Sequence, residues 1–163
     1  MTVTAVDKNT ETRTLTITSR LEAPIDRVWK IWSDPRQLER WWGPPSYPAT
    51  FVDHDLTVGG IMVYFMTGPE GDKHHGCWKI TAVDEPHSLE FEDAFADKDG
   101  NPNPDMPGDG MTIRVTLSEE SGATSMEIRT SFPNDETMEQ MITMGMAEGM
   151  SEALGQVDAL LAV

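Results

Sequence analysis

The chain has 163 residues, 28 of them acidic and 12 basic, which gives it a formal net charge of −16 at pH 7. The length predicts a single domain, 1–163, and the scarcity of Lys and Arg argues against nucleic acid or an anionic membrane surface as a partner. A single cysteine, Cys77, excludes an internal disulfide framework, and the lack of an apolar stretch of membrane-spanning length predicts a cytoplasmic protein with no membrane span.

The first elements predicted along the chain are a strand and two short helices. Alternation of apolar and polar residues over 14–21 predicts a half-buried strand. Pro24 suits the first turn of a helix, and apolar residues follow it at helical spacing. Asp34 before Pro35 predicts the N-cap of a second short helix, which ends at the Gly-Pro-Pro sequence of residues 43–45.

A run of strands follows, joined mainly by short turns. Alternating residues predict strands over 49–54, 59–66, 76–82, 89–95, 111–117 and 125–130. The hairpin length of most connections argues for antiparallel pairing. The long connection over 97–110 is acidic and rich in Pro and Gly, and from the sequence it is either a plain flexible loop or a lid.

The last element is predicted to be one long helix. Asn134 is a suitable N-cap, and the helical pattern continues to about Leu161. Methionines at positions 138, 141, 144, 146 and 150 make one side of this helix apolar and deformable. Gly145 and Gly149 each cost about 1 kcal/mol in a helix interior, so we expect either a close contact at these positions or room for a ligand.

Together these elements predict an α+β helix-grip fold with an ordered core over about 14–161. A curved antiparallel sheet of about seven strands would have two short helices after its first strand and the long C-terminal helix packed across its apolar face. A helix packed in this way can leave a hollow against the sheet. An empty hollow of ~300 Å³ costs on the order of 7 kcal/mol, so side chains, water or a ligand must occupy it.

The residues on the inward strand rows and the final helix are the candidates for a ligand site. Methionine both fills cores and lines adaptable sites, so core filling and ligand binding remain alternatives. Asp93 is the best candidate for a chemically active group, because an inward carboxylate requires a partner or a raised pKa. The predicted cavity-lining residues are Trp42, Met62, Tyr64, Met66, Trp78, Ile80, Phe91, Asp93, Phe95, Ile113, Val115, Ile128, Thr130, Met141, Gly145 and Gly149.

No pattern in the sequence predicts catalysis, a metal site or a cofactor. His74 and His75 lie in a predicted turn, and no third ligand follows at a suitable spacing. Asp53 and His54 alternate onto opposite faces of a strand, so the two side chains do not share one site. Cys77 is expected to be a buried and inert thiol.

Several short motifs resemble those of one known family. They are Ala23-Pro24, Trp41-Trp42-Gly43-Pro44, Asp55-Leu56 with Gly59-Gly60, Gly76-x-Trp78-x-Ile80, Glu85-Pro86-His87-Ser88-Leu89 and Gly145-Met146-x-Glu148-Gly149-Met150. Their order and spacing over about 14–161 resemble the START-like superfamily, also called SRPBCC or birch-pollen-allergen type. Within it, they resemble the family named after the C-terminal domain of the activator of the ninety-kilodalton heat-shock chaperone's ATPase.

The resemblance implies one function above others and leaves two alternatives. The first is a small-molecule binding protein that holds an apolar or amphipathic ligand, such as a lipid, between the sheet and the C-terminal helix. The second is a stress-related co-chaperone with a chaperone protein as partner, although such activators have an additional N-terminal domain for which this chain leaves no room. The third is a cyclase or dehydratase that orients a reactive chain in the same cavity. The family has no shared catalytic set, and the resemblance implies no cofactor.

Overall fold

A computed structural model describes residues 3–103 and 110–162 of the chain. The strands are β1 (Val3–Asn9), β2 (Thr14–Leu21), β3 (Ala49–Asp53), β4 (Ile61–Thr67), β5 (Lys73–Asp84), β6 (Ser88–Phe95), β7 (Met111–Glu120) and β8 (Ala123–Ser131). The helices are α1 (Ile25–Ser33), α2 (Pro35–Leu38), α3 (Asp135–Thr143), α4 (Met146–Leu154) and α5 (Val157–Leu161). Within the described ranges all eight strands form one antiparallel sheet in the order β1-β2-β8-β7-β6-β5-β4-β3. The predicted α+β helix-grip fold is confirmed.

Alternation along the strands places the apolar rows on the helix side of the sheet. In β2, Leu15, Ile17, Ser19 and Leu21 are buried while the alternate residues are partly or fully exposed. Pairing aligns such rows from strand to strand, so that Phe91 of β6 lies between Ile80 of β5 and Ile113 of β7. This is the arrangement expected of a sheet with one buried face.

The sheet has one strand more than the sequence predicts. β1 forms the edge of the sheet and pairs with β2, with Val6 opposite Ile17 and Lys8 opposite Leu15. Most side chains of β1 are exposed, so its residues do not show the alternation that marks a half-buried strand. This strand is defined by its backbone hydrogen bonds to β2, and such bonds leave no pattern in the sequence. The prediction of about seven strands therefore missed it.

Both predicted N-caps are confirmed. The Asp34 carboxylate accepts a hydrogen bond of 2.9 Å from the Arg36 backbone N–H at the start of α2. The Asn134 side chain accepts one of 2.7 Å from the Thr137 N–H at the start of α3. Each cap satisfies one of the backbone donors that the first turn of a helix leaves free.

The C-terminal segment is helical, as predicted, but the expectation of one continuous helix to Leu161 is wrong. It is divided into α3, α4 and α5. Gly145 is the N-cap of α4 and has a φ of 91°, a left-handed conformation that a helix interior excludes and that glycine adopts without a Cβ clash. The break turns the chain between α3 and α4, and a second turn at Gly155 and Gln156 separates α5.

Aromatic side chains fill the concave side of the sheet where the hollow was expected. The Trp78 and Phe91 rings stack with centroids 4.0 Å apart. The Trp32 ring lies edge-on to Trp41 at 4.8 Å, and Trp42 lies edge-on to Trp78 at the same distance. The separations and angles are those that aromatic pairs favour. The interior beneath α1 and α2 is therefore a packed core.

The described residues also limit two other expectations. No helix within 3–103 and 110–162 is long and apolar enough to cross a membrane. The first part of the expected loop over 97–110 is described as far as residue 103. At its start, the Asp97 carboxylate accepts backbone hydrogen bonds from Asp99 and Asn101 at 2.9 and 3.0 Å. Residues 104–109 lie outside the described residues, so a lid role stays a prediction.

The helix break generates a test on two glycines of one segment. Gly145→Ala is expected to destabilise the protein by about 1 kcal/mol, because alanine is strained at a positive φ. Gly149→Ala is the matched control. A Cβ there meets no atom within 4 Å, so alanine is expected to stabilise α4 by about 0.5–1 kcal/mol. Urea unfolding measures both changes, and equal effects of the two variants would contradict the break at Gly145.

Candidate functional site

An apolar cavity of about 150 Å³ lies at the edge of the aromatic core. It separates the turn after α2 from the face of α4. No charged side chain contributes to its wall. The lining residues are Trp41, Trp42, Gly43, Pro44, Met66, Met146, Gly149, Met150 and Ala153.

The turn after α2 is held in place by hydrogen bonds on both sides. The Trp41 indole N–H donates to the Ile31 backbone carbonyl at 3.0 Å, which fixes the turn against α1. The Gln156 side-chain amide donates to the Gly43 carbonyl at 2.7 Å, which fixes it against the C-terminal helices. Gly43 itself has a φ of 127°, and a Cβ there would collide with the Tyr47 carbonyl oxygen. The turn is therefore a rigid wall of the cavity.

The opposite wall is the face of α4, where residues recur at helical spacing. Met146, Gly149, Met150 and Ala153 fall three or four positions apart and so share one side of the helix. Gly149 faces open space, since a Cβ there meets no atom within 4 Å. Of the two explanations offered for this glycine from the sequence, room for a ligand agrees with the geometry and a close contact does not.

A small polar cluster, with a half-buried carboxylate, lies at the edge of the aromatic core beside this cavity. Asp93 of β6 lies directly opposite Trp78 of β5, and the Tyr64 hydroxyl donates to the Asp93 carboxylate at 3.4 Å. The Tyr64 ring lies across Gly76, whose missing side chain leaves the space, because a Cβ at Gly76 would collide with the phenol. The cluster is thus assembled by strand pairing together with one glycine.

Burial dominates the electrostatics of this cluster. Burial raises the pKa of Asp93 to about 7, against the opposing effect of the Tyr64 hydrogen bond. Burial, and then the negative charge of Asp93, raise the pKa of the Tyr64 hydroxyl well above 10. The sequence predicted an inward carboxylate with a partner or a raised pKa, and Asp93 has both. A carboxyl group that titrates near neutral pH is suited to proton exchange with a ligand.

Two indole N–H groups of the cluster approach acceptors without bonding to them in good geometry. The Trp42 and Trp78 side chains lie close enough to Tyr64, and Trp78 also to Asp93, to lower the pKa of those groups. Yet among the residues that the structure describes, neither indole nitrogen has a hydrogen-bond acceptor in bonding geometry. An unpaired buried donor costs about 1–3 kcal/mol, so these groups are an unusual feature of the core.

The predicted site residues lie in several different places. Trp42, Met66 and Gly149 line the cavity, while Tyr64, Trp78 and Asp93 form the polar cluster, with Trp42 at its margin. Gly145 lies at the helix break, and Phe95 is half-buried at the end of β6. The remaining predicted residues are buried in the core: Met62, Ile80, Phe91, Ile113, Val115, Ile128, Thr130 and Met141.

Six lining residues were not among the predicted site residues, and the sequence held a signal for them. They are Trp41, Gly43, Pro44, Met146, Met150 and Ala153. From the sequence, Trp41 and Trp42 are either the mouth of a pocket or the anchor of a short helix that the following Gly-Pro ends, and the helical spacing of the two methionines with Ala153 indicates only a general apolar face. What the sequence did not supply was the pairing of these two segments across space.

The other polar groups weighed from the sequence do not form a site. The predicted turn placement of His74 and His75 is wrong, because both lie in β5. His74 pairs at 2.8 Å with Asp72 of the preceding connection, and His54 bonds to the Trp32 carbonyl at 3.0 Å. Cys77 is buried and its pKa is raised by burial. Across 3–103 and 110–162, no group of three or more His, Cys, Asp or Glu side chains is placed to hold a metal ion.

With this geometry established, comparison with known proteins assigns the family. Residues 22–162 match the model of the activator of Hsp90 ATPase homolog 1-like proteins. The chain belongs to this family. The match covers most of the chain and contains both the cavity and the polar cluster, so the START-like resemblance found in the sequence is confirmed. Among curated proteins, no sequence matches the chain.

Solved structures of similar proteins share the fold over nearly their full length. Protein Ms6760 from Mycobacterium smegmatis is 52% identical, with 98% of this chain and 96% of that chain covered and a TM-score of 0.88. A protein from Arthrobacter aurescens is 46% identical, with 99% and 92% covered and a TM-score of 0.93. The AHSA1 protein from Silicibacter pomeroyi, at 22% identity, 91% and 97% coverage and a TM-score of 0.70, shares the fold alone.

The raised pKa of Asp93 generates a prediction about stability. The folded state holds this proton up to pH about 7, whereas the unfolded chain loses it near the ordinary value of 3.8. The free energy of unfolding is therefore lowered progressively as the pH rises from about 4 to about 7, by up to about 4 kcal/mol. Asp93→Asn removes this penalty, so its stability relative to the parent should increase over the same interval.

Urea unfolding at pH 4.5, 6 and 7.5 measures the effect, and Glu92→Gln is the matched control. Glu92 is the neighbour of Asp93 on β6 and is exposed. Its variant should show a constant difference from the parent at all three pH values. A constant difference for Asp93→Asn as well would show that the carboxyl group is already ionised at pH 4.5.

Proposed function

We propose that this protein binds an apolar small molecule, or the apolar part of an amphipathic one, in the cavity between the Trp41-Trp42-Gly43-Pro44 turn and α4. The single observation that carries the proposal is the open space in front of Gly149. Gly149 lowers the stability of α4, and a large side chain at its position would enter the cavity. The absence of a side chain there is what keeps the cavity available.

The size and chemistry of the cavity support a compact apolar group. Its volume of about 150 Å³ is below the 300–1,000 Å³ that is typical of pockets for drug-sized ligands. A dry apolar cavity of roughly 150 Å³ takes benzene in another protein. We therefore expect one ring or a short alkyl segment to bind at a time.

The free energy of the cavity also favours occupation. The cavity is open to solvent on one side, so water reaches its apolar wall. An apolar guest removes that wall from water, which is favourable by roughly 25 cal/mol per Å² of apolar surface covered.

The methionines of the lining support a range of guests. Met66, Met146 and Met150 have flexible thioether side chains that can adjust to groups of different shape. The rigid turn on the other side fixes where the guest lies. A partner role with a heat-shock chaperone is supported by the family description alone.

Filling the space in front of Gly149 tests the proposal. Toluene serves as the apolar probe and is titrated into ¹⁵N-labelled protein while the indole N–H resonances of the five tryptophans are followed. The resonances of Trp41 and Trp42 should move with a saturable dependence on toluene. In Gly149→Leu the added side chain occupies the cavity, so toluene affinity should fall about tenfold or more.

Two controls separate filling from other effects of the substitution. Gly149→Ala raises helix propensity without filling the cavity, and Glu152→Leu adds the same apolar side chain at an exposed position of α4. Both should keep toluene affinity within about threefold of the parent. Unchanged affinity in Gly149→Leu would show that toluene binds elsewhere, and the proposed site would be rejected.

A further inference from the structure

We infer that the ligand of this protein has a neutral hydroxyl group on an apolar body, and that the hydroxyl binds the polar cluster formed by Trp42, Tyr64, Trp78 and Asp93. The inference rests on the proposed function and specifies the ligand class. The apolar body occupies the cavity described above. The cluster is a second, polar subsite at the inner side of that cavity, with Trp42 common to both.

The unpaired donors of the cluster are the first argument. The Trp42 and Trp78 side chains are only 6% and 1% exposed, and their indole N–H groups lack an acceptor among the described residues. Water or a ligand oxygen would satisfy donors that the protein itself leaves unpaired. A pure hydrocarbon would leave them as they are. The structure thus favours a guest with an acceptor oxygen.

The position of Trp42 is the second argument, because it gives the guest a route. The Trp42 ring lines the apolar cavity and is also edge-on to Trp78 at 4.8 Å and to Tyr64 at 6.4 Å. One side chain therefore separates the apolar cavity from the polar cluster. The inferred binding mode therefore requires the Trp42 ring to rotate, so that a guest that replaces part of the ring's contacts places its polar atom at the cluster.

The hydrogen-bond donors and acceptors of the polar cluster determine which polar group of a ligand it can bind. A hydroxyl oxygen accepts from the two indole N–H groups, and its proton is donated to the Asp93 carboxylate. Above pH 7, where Asp93 is ionised, a carboxylate ligand would face it as a like charge, on a chain whose net charge is already −16. An ammonium group has no lone pair to accept from the indoles. A neutral hydroxyl matches all of these groups at once.

Phenol and toluene test the inference as a matched pair, since they have the same shape and differ in a hydroxyl against a methyl group. In a purely apolar cavity, phenol should bind about tenfold more weakly than toluene, because its hydroxyl would be buried without a partner. At the inferred subsite, phenol should bind at least as tightly as toluene. Affinities come from titrations of the folded, full-length protein followed by the indole N–H resonances.

A paired variant removes the subsite while keeping the cavity. Tyr64→Phe with Asp93→Leu leaves apolar side chains of similar size, and neither residue lines the cavity. Phenol affinity should fall about tenfold or more, and toluene affinity should stay within about threefold of the parent. Retained toluene binding also shows that the variant is folded. Should the variant not fold, the parent alone decides, because phenol but not toluene should shift the Trp78 indole N–H resonance.

The outcomes distinguish the inference from the proposed function. If the parent binds toluene and binds phenol clearly more weakly, the polar subsite is rejected and the apolar site stands. The same conclusion follows if the paired variant binds phenol with the affinity of the parent. If neither compound binds the parent, both are rejected. If phenol binds at least as tightly as toluene in the parent and loses this affinity in the paired variant, the inference is supported.

Discussion

The packing of aromatic rings against the concave side of the sheet is the constraint on which the rest of this structure depends. A curved sheet and the helices around it enclose a volume that must be filled, and here indole and phenyl rings fill it, with Trp78 stacked on Phe91 at 4.0 Å and Trp42 edge-on to Trp78. Large rigid rings fill such a volume with few side chains, but their shapes leave some of it unoccupied. The cavity that remains lies at the edge of the aromatic core, against α4.

The same packing explains why polar groups are retained in the core. Indole and phenol rings carry an N–H or O–H at one end, so a core built from them buries donors together with apolar surface. Trp41 satisfies its donor with the Ile31 carbonyl, and Tyr64 satisfies its own with Asp93. Within the described residues, the indole N–H groups of Trp42 and Trp78 have no acceptor in bonding geometry. The core is stabilised by ring contacts while it retains unused hydrogen-bonding capacity beside the cavity.

Much of this fold was predictable because local signals agree with the tertiary structure. Alternation in β2 and the caps at Asp34 and Asn134 are short-range features, and the structure has them where the sequence predicts them. The inward position of Asp93 also followed from alternation. Three features were not predictable, each for a physical reason. β1 is held by backbone pairing with exposed side chains, the helix break depends on the φ of Gly145, and the cavity depends on two segments that are more than a hundred residues apart.

Trp42 borders both the apolar cavity and the polar cluster, so a guest that moves its ring would link the two thermodynamically. A guest that moves the Trp42 ring changes the packing around Asp93, whose pKa of about 7 is set mainly by burial. Linkage is reciprocal, so whatever the guest does to the pKa of Asp93, the protonation of Asp93 does to the affinity of the guest. A guest that accepts hydrogen bonds from the indoles and donates to the carboxylate stabilises the ionised form of Asp93. Its affinity therefore rises as the pH increases through 7, whereas a hydrocarbon that stays in the cavity, which Asp93 does not line, binds without this pH dependence. The presence of the pH dependence is thus a property of the ligand class, and it follows from the position of one half-buried carboxylate.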